Sequence, residues 1–140
     1  MRPSIIVDTG PLIAALNAKD HHHDWARAQW AELQAPLLTC EAVIGEAGHL
    51  LRRASADSGT VVELVRRGAL AIAFSLQDES TTVGRLMTRY ANVPMSVADA
   101  CLVRMAEQHA DARVLTIDAD FRIYRKHGRR VVPTIMPPAD

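Results

Sequence analysis

Four acidic residues, Asp8, Glu46, Asp99 and Asp118, stand where this sequence could do chemistry. Asp8 ends the run Ser4-Ile5-Ile6-Val7 and Asp118 ends the run Arg113-Val114-Leu115-Thr116-Ile117. If both runs are strands of one parallel sheet, their carboxylates point into one crevice and repel each other unless a cation lies between them. The donor set is all oxygen, which suits Mg²⁺ or Mn²⁺, hard cations that take carboxylates and keep several waters. Such a site activates water and neutralises charge on a phosphate, in some cases with two metals about 4 Å apart. No side chain stands out as a nucleophile, so the reaction to expect is phosphodiester hydrolysis.

Each acid also has a plainer reading. Asp8 precedes Pro11 by three residues and Asp118 precedes Phe121 by three, so either is placed to cap a helix N-terminus. In Glu41-Ala42-Val43-Ile44-Gly45-Glu46-Ala47-Gly48-His49-Leu50-Leu51, the apolar stripe is Val43, Ala47, Leu50 and Leu51. Glu46 lies three residues after Val43 and four before Leu50, on the stripe rather than opposite it. It is there paired, protonated or coordinating, or it is an edge glutamate that reaches solvent. Asp99 follows Ser96 with the spacing of a capping box, although that motif prefers Glu or Gln. Leu102 and Val103, three and four residues on, turn it towards the edge of the core.

The elements that must position these acids are readable from periodicity and turn chemistry. Strands are expected at Ser4–Val7, Leu37–Thr39, Ala69–Phe74, Arg113–Ile117 and Arg130–Val132. Helices are expected at Pro11–Ala18, His22–Gln34, Glu41–Ala54, Ser58–Arg67, Glu79–Tyr90, Val97–His109 and Phe121–His127, with Ser96 as an N-cap and Gly68 and Gly128 as C-terminal caps. Strand–helix alternation implies a three-layer, Rossmann-like α/β sandwich with a five-stranded, mostly parallel sheet flanked by helices; ligands then bind outside the carboxyl ends of the strands. Pro11 suits a helix's first position, and the segment from Pro133 to Pro138 reads as an extended tail.

At 140 residues the chain fits one domain spanning 1–140. Its 16 basic and 16 acidic residues cancel, which excludes a histone-like global grip on nucleic acid and leaves any polyanion to be held locally. Cys40 and Cys101 are too few for a disulfide framework and fit no metal knuckle. With no stretch resembling a signal peptide or a membrane span, the expectation is a cytoplasmic protein without membrane contact.

Taken together, the chain resembles the PIN-domain nucleases, above all the compact VapC-type toxins of prokaryotic toxin–antitoxin modules. The resemblance spans essentially the whole sequence: a strand ending in Asp8-Thr9, Glu46 on a mid-chain helix, Ser96-x-x-Asp99-Ala100, and Leu115-Thr116-x-Asp118-x-Asp120-Phe121. It implies a PIN-like sandwich, a homodimer, Mg²⁺- or Mn²⁺-dependent cleavage of an RNA substrate, and a small antitoxin that blocks the acidic pocket. By position it makes Asp8 and Asp99 the principal metal ligands, with Glu46 and Asp118 completing the cluster. Thr9 and Thr116 become supporting hydroxyls, and Asp120 either supplements Asp118 or caps the following turn. Gly10 departs from the serine or alanine of many relatives.

Other features point elsewhere with less force. Asp8-Thr9-Gly10 spells the aspartic-protease triplet, but that chemistry needs two such loops in a mostly β fold. A phosphatase or receiver would need paired acids after the first strand, and these are absent. His21-His22-His23 opens a helix, from which three consecutive side chains cannot face one ion. His49 and His109 lie on helices away from the strand ends. Trp25, Trp30 and Leu33 read as packing residues rather than a stacking platform for bases. The basic run from Arg122 to Arg130 suits RNA phosphates or an acidic partner, whereas Arg66-Arg67 reads as a solvated face. A non-catalytic PIN-like RNA-binding or dimerisation module is the alternative to an enzyme.

Overall fold

The computed structural model describes residues 3–139. Seven strands form: β1 (Ile5–Val7), β2 (Leu37–Thr39), β3 (Leu70–Ile72), β4 (Arg113–Leu115), β5 (Arg125–Lys126), β6 (Arg130–Val131) and β7 (Thr134–Ile135). The six α-helices are α1 (Thr9–Leu16), α2 (His23–Glu32), α3 (Glu41–Arg53), α4 (Thr60–Arg66), α5 (Leu76–Arg89) and α6 (Val97–Gln108), and a 3-10 turn follows at Ala119–Arg122. The main sheet has the order β3-β2-β1-β4-β7 and every pairing in it is parallel. The helices flank it, as the strand–helix alternation requires.

The order matters more than the count. From β1 the chain steps outward to β2 and β3, then returns to the other side of β1 for β4 and β7, so the direction of winding reverses between β1 and β4. Ile5, Ile6 and Val7 pair with Arg113, Val114 and Leu115, which brings the carboxyl ends of β1 and β4 level. A crevice opens at such a switch point. The three β1 residues are buried, as expected for a strand covered on both faces, and α6 contributes Cys101, Leu102, Val103, Met105 and Ala106 to the same core. Cys40 and Cys101 are free, buried thiols, and Cys101 lies close enough to push the Cys40 thiol well above its ordinary value.

Helix boundaries follow local chemistry. Ser75, whose side chain accepts the Asp78 N–H, starts α5 at Leu76, three residues ahead of the expected start. Gly68 ends α4 with φ +81°, its N–H donating to Val65 O and the Ala69 N–H to Leu64 O, the paired bonds that close a helix through a left-handed glycine. Pro11 is not the first helical residue, because α1 already begins at Thr9.

The carboxyl-terminal quarter departs from expectation. The helix expected over Phe121–His127 is only a 3-10 turn, after which β5 and β6 make an antiparallel hairpin. The Arg125 guanidinium donates to the carbonyls of Arg122, Ile123 and Tyr124, capping the acceptors that a continuing helix would use. His127 and Gly128, with φ of 52° and 79°, then turn the chain back. Gly128 thus serves the hairpin and not a helix cap. Arg130–Val131 pairs in this hairpin instead of the main sheet, and the fifth main strand is β7, within the segment expected to be a tail. The neighbouring prolines are tolerated because β7 is an edge strand.

That edge strand reaches the crevice indirectly. The Val114 N–H donates to Pro133 O and the Thr116 N–H to Ile135 O, so β7 fixes the backbone of Thr116. A chain ending at Val132 should lose those two bonds, each worth about 1 kcal/mol net, and the apolar contact of Ile135 besides. An unfolding free energy from urea titration lowered by at least that much is expected; an unchanged value would show that β7 does not support β4.

Candidate acidic site at the sheet switch point

The crevice between β1 and β4 is a cleft of about 320 Å³ lined by Asp8, Thr9, Gly10, Ile13, Glu46, Leu50, Asp99, Ile117 and Asp118. All four acids singled out in the sequence border it. They do so in different ways.

Asp8 is the buried member, at 6 % exposure, and every feature around it restrains its carboxylate. Oδ1 accepts the Thr9 N–H at 2.7 Å, so Asp8 both caps α1 and faces the cleft. Oδ2 accepts the Thr116 hydroxyl at 2.8 Å, and that hydroxyl accepts the Asp118 N–H at 3.0 Å. The Asp8 N–H donates to Leu115 O, tying β1 to β4. Burial pushes the Asp8 carboxyl up to about 6, against the lowering effect of the Thr116 and Thr9 hydrogen bonds; the negative charges of Asp99 and Asp118 push it further. Two acids across the cleft are therefore close enough to be felt.

Asp99 sits at the start of α6 in a complete capping box: Ser96 Oγ accepts the Asp99 N–H at 3.0 Å and Asp99 Oδ2 accepts the Ser96 N–H at 3.3 Å. The same oxygen accepts the Tyr124 hydroxyl at 3.0 Å. Capping and cleft-lining thus coexist in one side chain. Desolvation raises the Asp99 carboxyl above its ordinary value and the charge of Asp118 adds to it. Tyr124 is fully buried, its ring edge-on to Phe121 and Tyr90, and burial together with Asp99 holds its phenol protonated as a donor. Sequence reading missed Tyr124; its only trace was an aromatic pair at a spacing of three, Phe121 and Tyr124, which looked like a helix face.

Glu46 and Asp118 are exposed. On α3 the buried stripe is Val43, Ala47 and Leu51, and Leu50 is itself 38 % exposed, so Glu46 belongs to the edge of the helix that looks into the cleft. Of the two placements that the sequence leaves open for Glu46, the structure shows the solvent-reaching one. Asp118 caps the 3-10 turn through the Asp120 N–H at 2.9 Å and also lines the cleft. Asp120 is not among the residues lining the cleft.

Among the described residues, no three acidic, histidine or cysteine side chains stand close enough to form a finished metal cage. The residues nonetheless fit a divalent cation. The negative charges of Asp99 and Asp118 raise the proton affinity of Asp8, that of Asp118 raises Asp99, and the buried Thr9 hydroxyl has no hydrogen-bond partner among the described residues. A buried polar atom without a partner is costly unless a water or ion satisfies it. Glu46 and Asp118, being exposed, are free to adjust. The histidine triplet is spent elsewhere, with His23 Nδ1 donating to Ala14 O at 2.7 Å and His22 edge-on to Trp25. Trp25 and Trp30 pack against Ala14, Ala15 and Ala26. His49 and His109 do not line the cleft.

Fold and site together are a parallel α/β sheet with carboxylates gathered at its switch point. The chain belongs to the PIN domain family, whose model matches residues 5–127. Its fold is similar to that of the Mycobacterium tuberculosis toxin VapC20, described as cleaving the sarcin-ricin loop, with a TM-score of 0.77 and 23 % identity over 91 % of this chain and 99 % of that one. No curated protein sequence matches the chain significantly. Among the described residues, no helix is long and apolar enough to cross a membrane.

The raised Asp8 carboxyl has a consequence for stability. Because its folded value lies above the ordinary 3.8, the protonated form is the stabilising one; that contribution is complete below 3.8 and is lost as pH rises through about 6. Above pH 6 in metal-free buffer the ionised carboxylate costs up to about 3 kcal/mol. Asp8→Asn should therefore melt higher than the wild type at pH 7 in EDTA, with the gap closing below pH 4, and millimolar Mn²⁺ should raise only the wild type. Equal melting temperatures for both proteins across this range would refute the cost assigned to Asp8.

Proposed function

We propose that the protein is a metal-dependent endoribonuclease that uses Mg²⁺ or Mn²⁺ to hydrolyse RNA phosphodiester bonds, and that it is the toxin of a VapBC-type toxin–antitoxin pair. The observation that carries this reading is the buried Asp8 carboxylate, desolvated at an energetic cost and facing Asp99 and Asp118 across one cleft. A protein has no structural need for such a cluster, whereas a site for a hard cation does. Family membership and the likeness to VapC20 support the same choice of substrate class.

Asp8 and Asp99 would be the principal ligands, with Glu46 and Asp118 completing the acidic set. When bound, the cation supplies charge neutralisation at the phosphate and makes water easier to ionise. The chain's own residues do the rest. Thr116 and the Thr9 N–H fix the Asp8 oxygens, and Tyr124 and Ser96 fix those of Asp99, so neither carboxylate has to be ordered as substrate arrives. The Thr9 hydroxyl, without a partner among the described residues, would bond a water or phosphate oxygen in the cleft. Glu46 or Asp118 takes the proton from the attacking water, which approaches phosphorus in line with the leaving oxygen. A homodimer, a cytoplasmic location and a small antitoxin that covers the cleft with a basic side chain are part of the same reading.

The alternative, a non-catalytic PIN-like module that binds RNA or dimerises, shares the fold but leaves the cost at Asp8 without a return. Incubating the purified protein with total cellular RNA and Mg²⁺ or Mn²⁺, beside Asp8→Asn, and mapping the cut ends separates the two. Discrete metal-dependent ends made by the wild type, reduced at least a hundredfold in Asp8→Asn, are expected from the loss of several kcal/mol of transition-state stabilisation. Identical patterns from both proteins, or no cutting by either, would refute the nuclease.

A further inference from the structure

An acidic cleft repels the polyanion it is proposed to cut, and the chain as a whole carries no net charge to offset this. If RNA is the substrate, its backbone must be held by a segregated basic surface. Several arginines and one of the two lysines of the described residues are already occupied. Arg66 and Arg67 are paired with Glu63, and Arg104 with Glu79 and Glu107. Arg125 caps three carbonyls, and Lys126 is buried with Nζ donating to Ala110 O. The basic run of the hairpin is therefore partly structural, which its sequence does not reveal.

Lys19, Arg27, Arg52, Arg53, Arg113 and Arg122 are exposed and in no ion pair among the described residues, as are Arg85 and Arg89 on α5 and Arg129 and Arg130 on the hairpin; the last four are the ones that the structure gathers. The fold joins them. Arg89 Nη2 donates to Gly128 O at 2.6 Å, so the last turn of α5 is stitched to the hairpin turn, and its guanidinium lies 5.2 Å from the centre of the Tyr90 ring. Two shallow hollows flank this stitch, one lined by Ser80, Thr81, Gly84, Arg85, Thr88 and Arg89, the other by His127, Gly128, Arg129 and Arg130. Glu107, the acid that reaches the hairpin, is spent on the His127 N–H and on Arg104. The hollows are lined by arginine, histidine, serine, threonine and glycine, with Val131 exposed beside Arg130. Protein–protein interfaces carry an apolar or aromatic centre, whereas a phosphate backbone asks only for charge and hydrogen-bond donors.

We propose that Arg85, Arg89, Arg129 and Arg130 form the surface that holds the phosphate backbone of RNA outside the acidic cleft. This rests on the ribonuclease reading and adds to it where the substrate is gripped. The surface is mechanically tied to the cleft: Tyr90 packs against Tyr124 at 5.1 Å between ring centres, and Tyr124 donates to Asp99. RNA gripped at the hairpin is thus held by the element that also orients a site carboxylate.

The test uses the triple variant Arg85→Ala, Arg129→Ala, Arg130→Ala, sparing Arg89 because its hydrogen bond supports the hairpin. Binding of a fluorescein-labelled oligouridylate is followed by anisotropy in EDTA across a salt series, with Arg66→Ala, Arg67→Ala as the control. Loss of three phosphate contacts should weaken binding at least tenfold and reduce the slope of log affinity against log salt by about 2, at roughly 0.7 per contact for a single strand. The control should keep the wild-type slope. An unchanged slope in the triple variant, an equal fall in the control, or binding of polyglutamate in preference to the RNA would overturn the assignment. Wild-type cleavage with Mn²⁺ is measured in parallel. Cleavage with an unchanged triple-variant slope removes this surface and keeps the nuclease, whereas a reduced slope without cleavage keeps the surface and removes the nuclease.

Discussion

The structure around the cleft depends on one buried carboxylate held by one buried hydroxyl. Asp8 Oδ2 accepts the Thr116 Oγ proton at 2.8 Å between two residues 108 positions apart in sequence. Thr116 can be there only because β4 lies beside β1 in register, and its backbone is fixed in turn by β7. The same Asp8 caps α1 through Thr9, so the first helix, the two central strands and the edge strand converge on a single side chain. Desolvation works against this arrangement and the hydrogen bonds only partly offset it, which leaves the carboxyl at about 6. A positive charge in the cleft would resolve the imbalance.

The second half of the site is built by a different logic. Asp99 is delivered by a helix N-terminus, where its own capping box fixes the backbone, and is oriented by a phenol arriving from beyond the 3-10 turn. Helix capping and ligand presentation are often weighed as rivals for an acidic residue, yet at Asp8 and Asp99 the geometry that serves capping would also serve the proposed ligand role. A carboxylate at the N-cap, as Asp8, or at N3 of a capping box, as Asp99, is restrained close to the helix start, and restraint is what a preorganised ligand needs. Glu46 and Asp118 have no such restraint on the cleft side and retain room to move.

Much of this was legible in the sequence. Asp8 and Asp118 were placed by the ends of short apolar runs, Asp99 by Ser96 three residues earlier, and the parallel sheet by the alternation of elements; the four acids do border one cleft. Glu46 stayed open between two placements because periodicity locates a stripe but not how far its edge is covered, and Leu50, counted with the stripe, is partly open to the cleft as well. The carboxyl-terminal quarter was misread for a tertiary reason. Phe121 and Tyr124 have helical spacing, but Arg125 turns onto the preceding carbonyls and Gly128 reverses the chain. The prolines around Thr134–Ile135 hid an edge strand whose partner lies about twenty residues away. Tyr124 could not be found at all without the hairpin that aims it.

The central claim is that Asp8 and Asp99 jointly hold a divalent cation. Anomalous scattering from crystals soaked in Mn²⁺ tests it most directly. A peak within bonding distance, about 2.0–2.3 Å, of oxygens from both carboxylates is the predicted result, with the Thr9 hydroxyl facing the ion or one of its waters. Saturating Mn²⁺ that gave no peak in the cleft, or one bound away from Asp8 and Asp99, would contradict it.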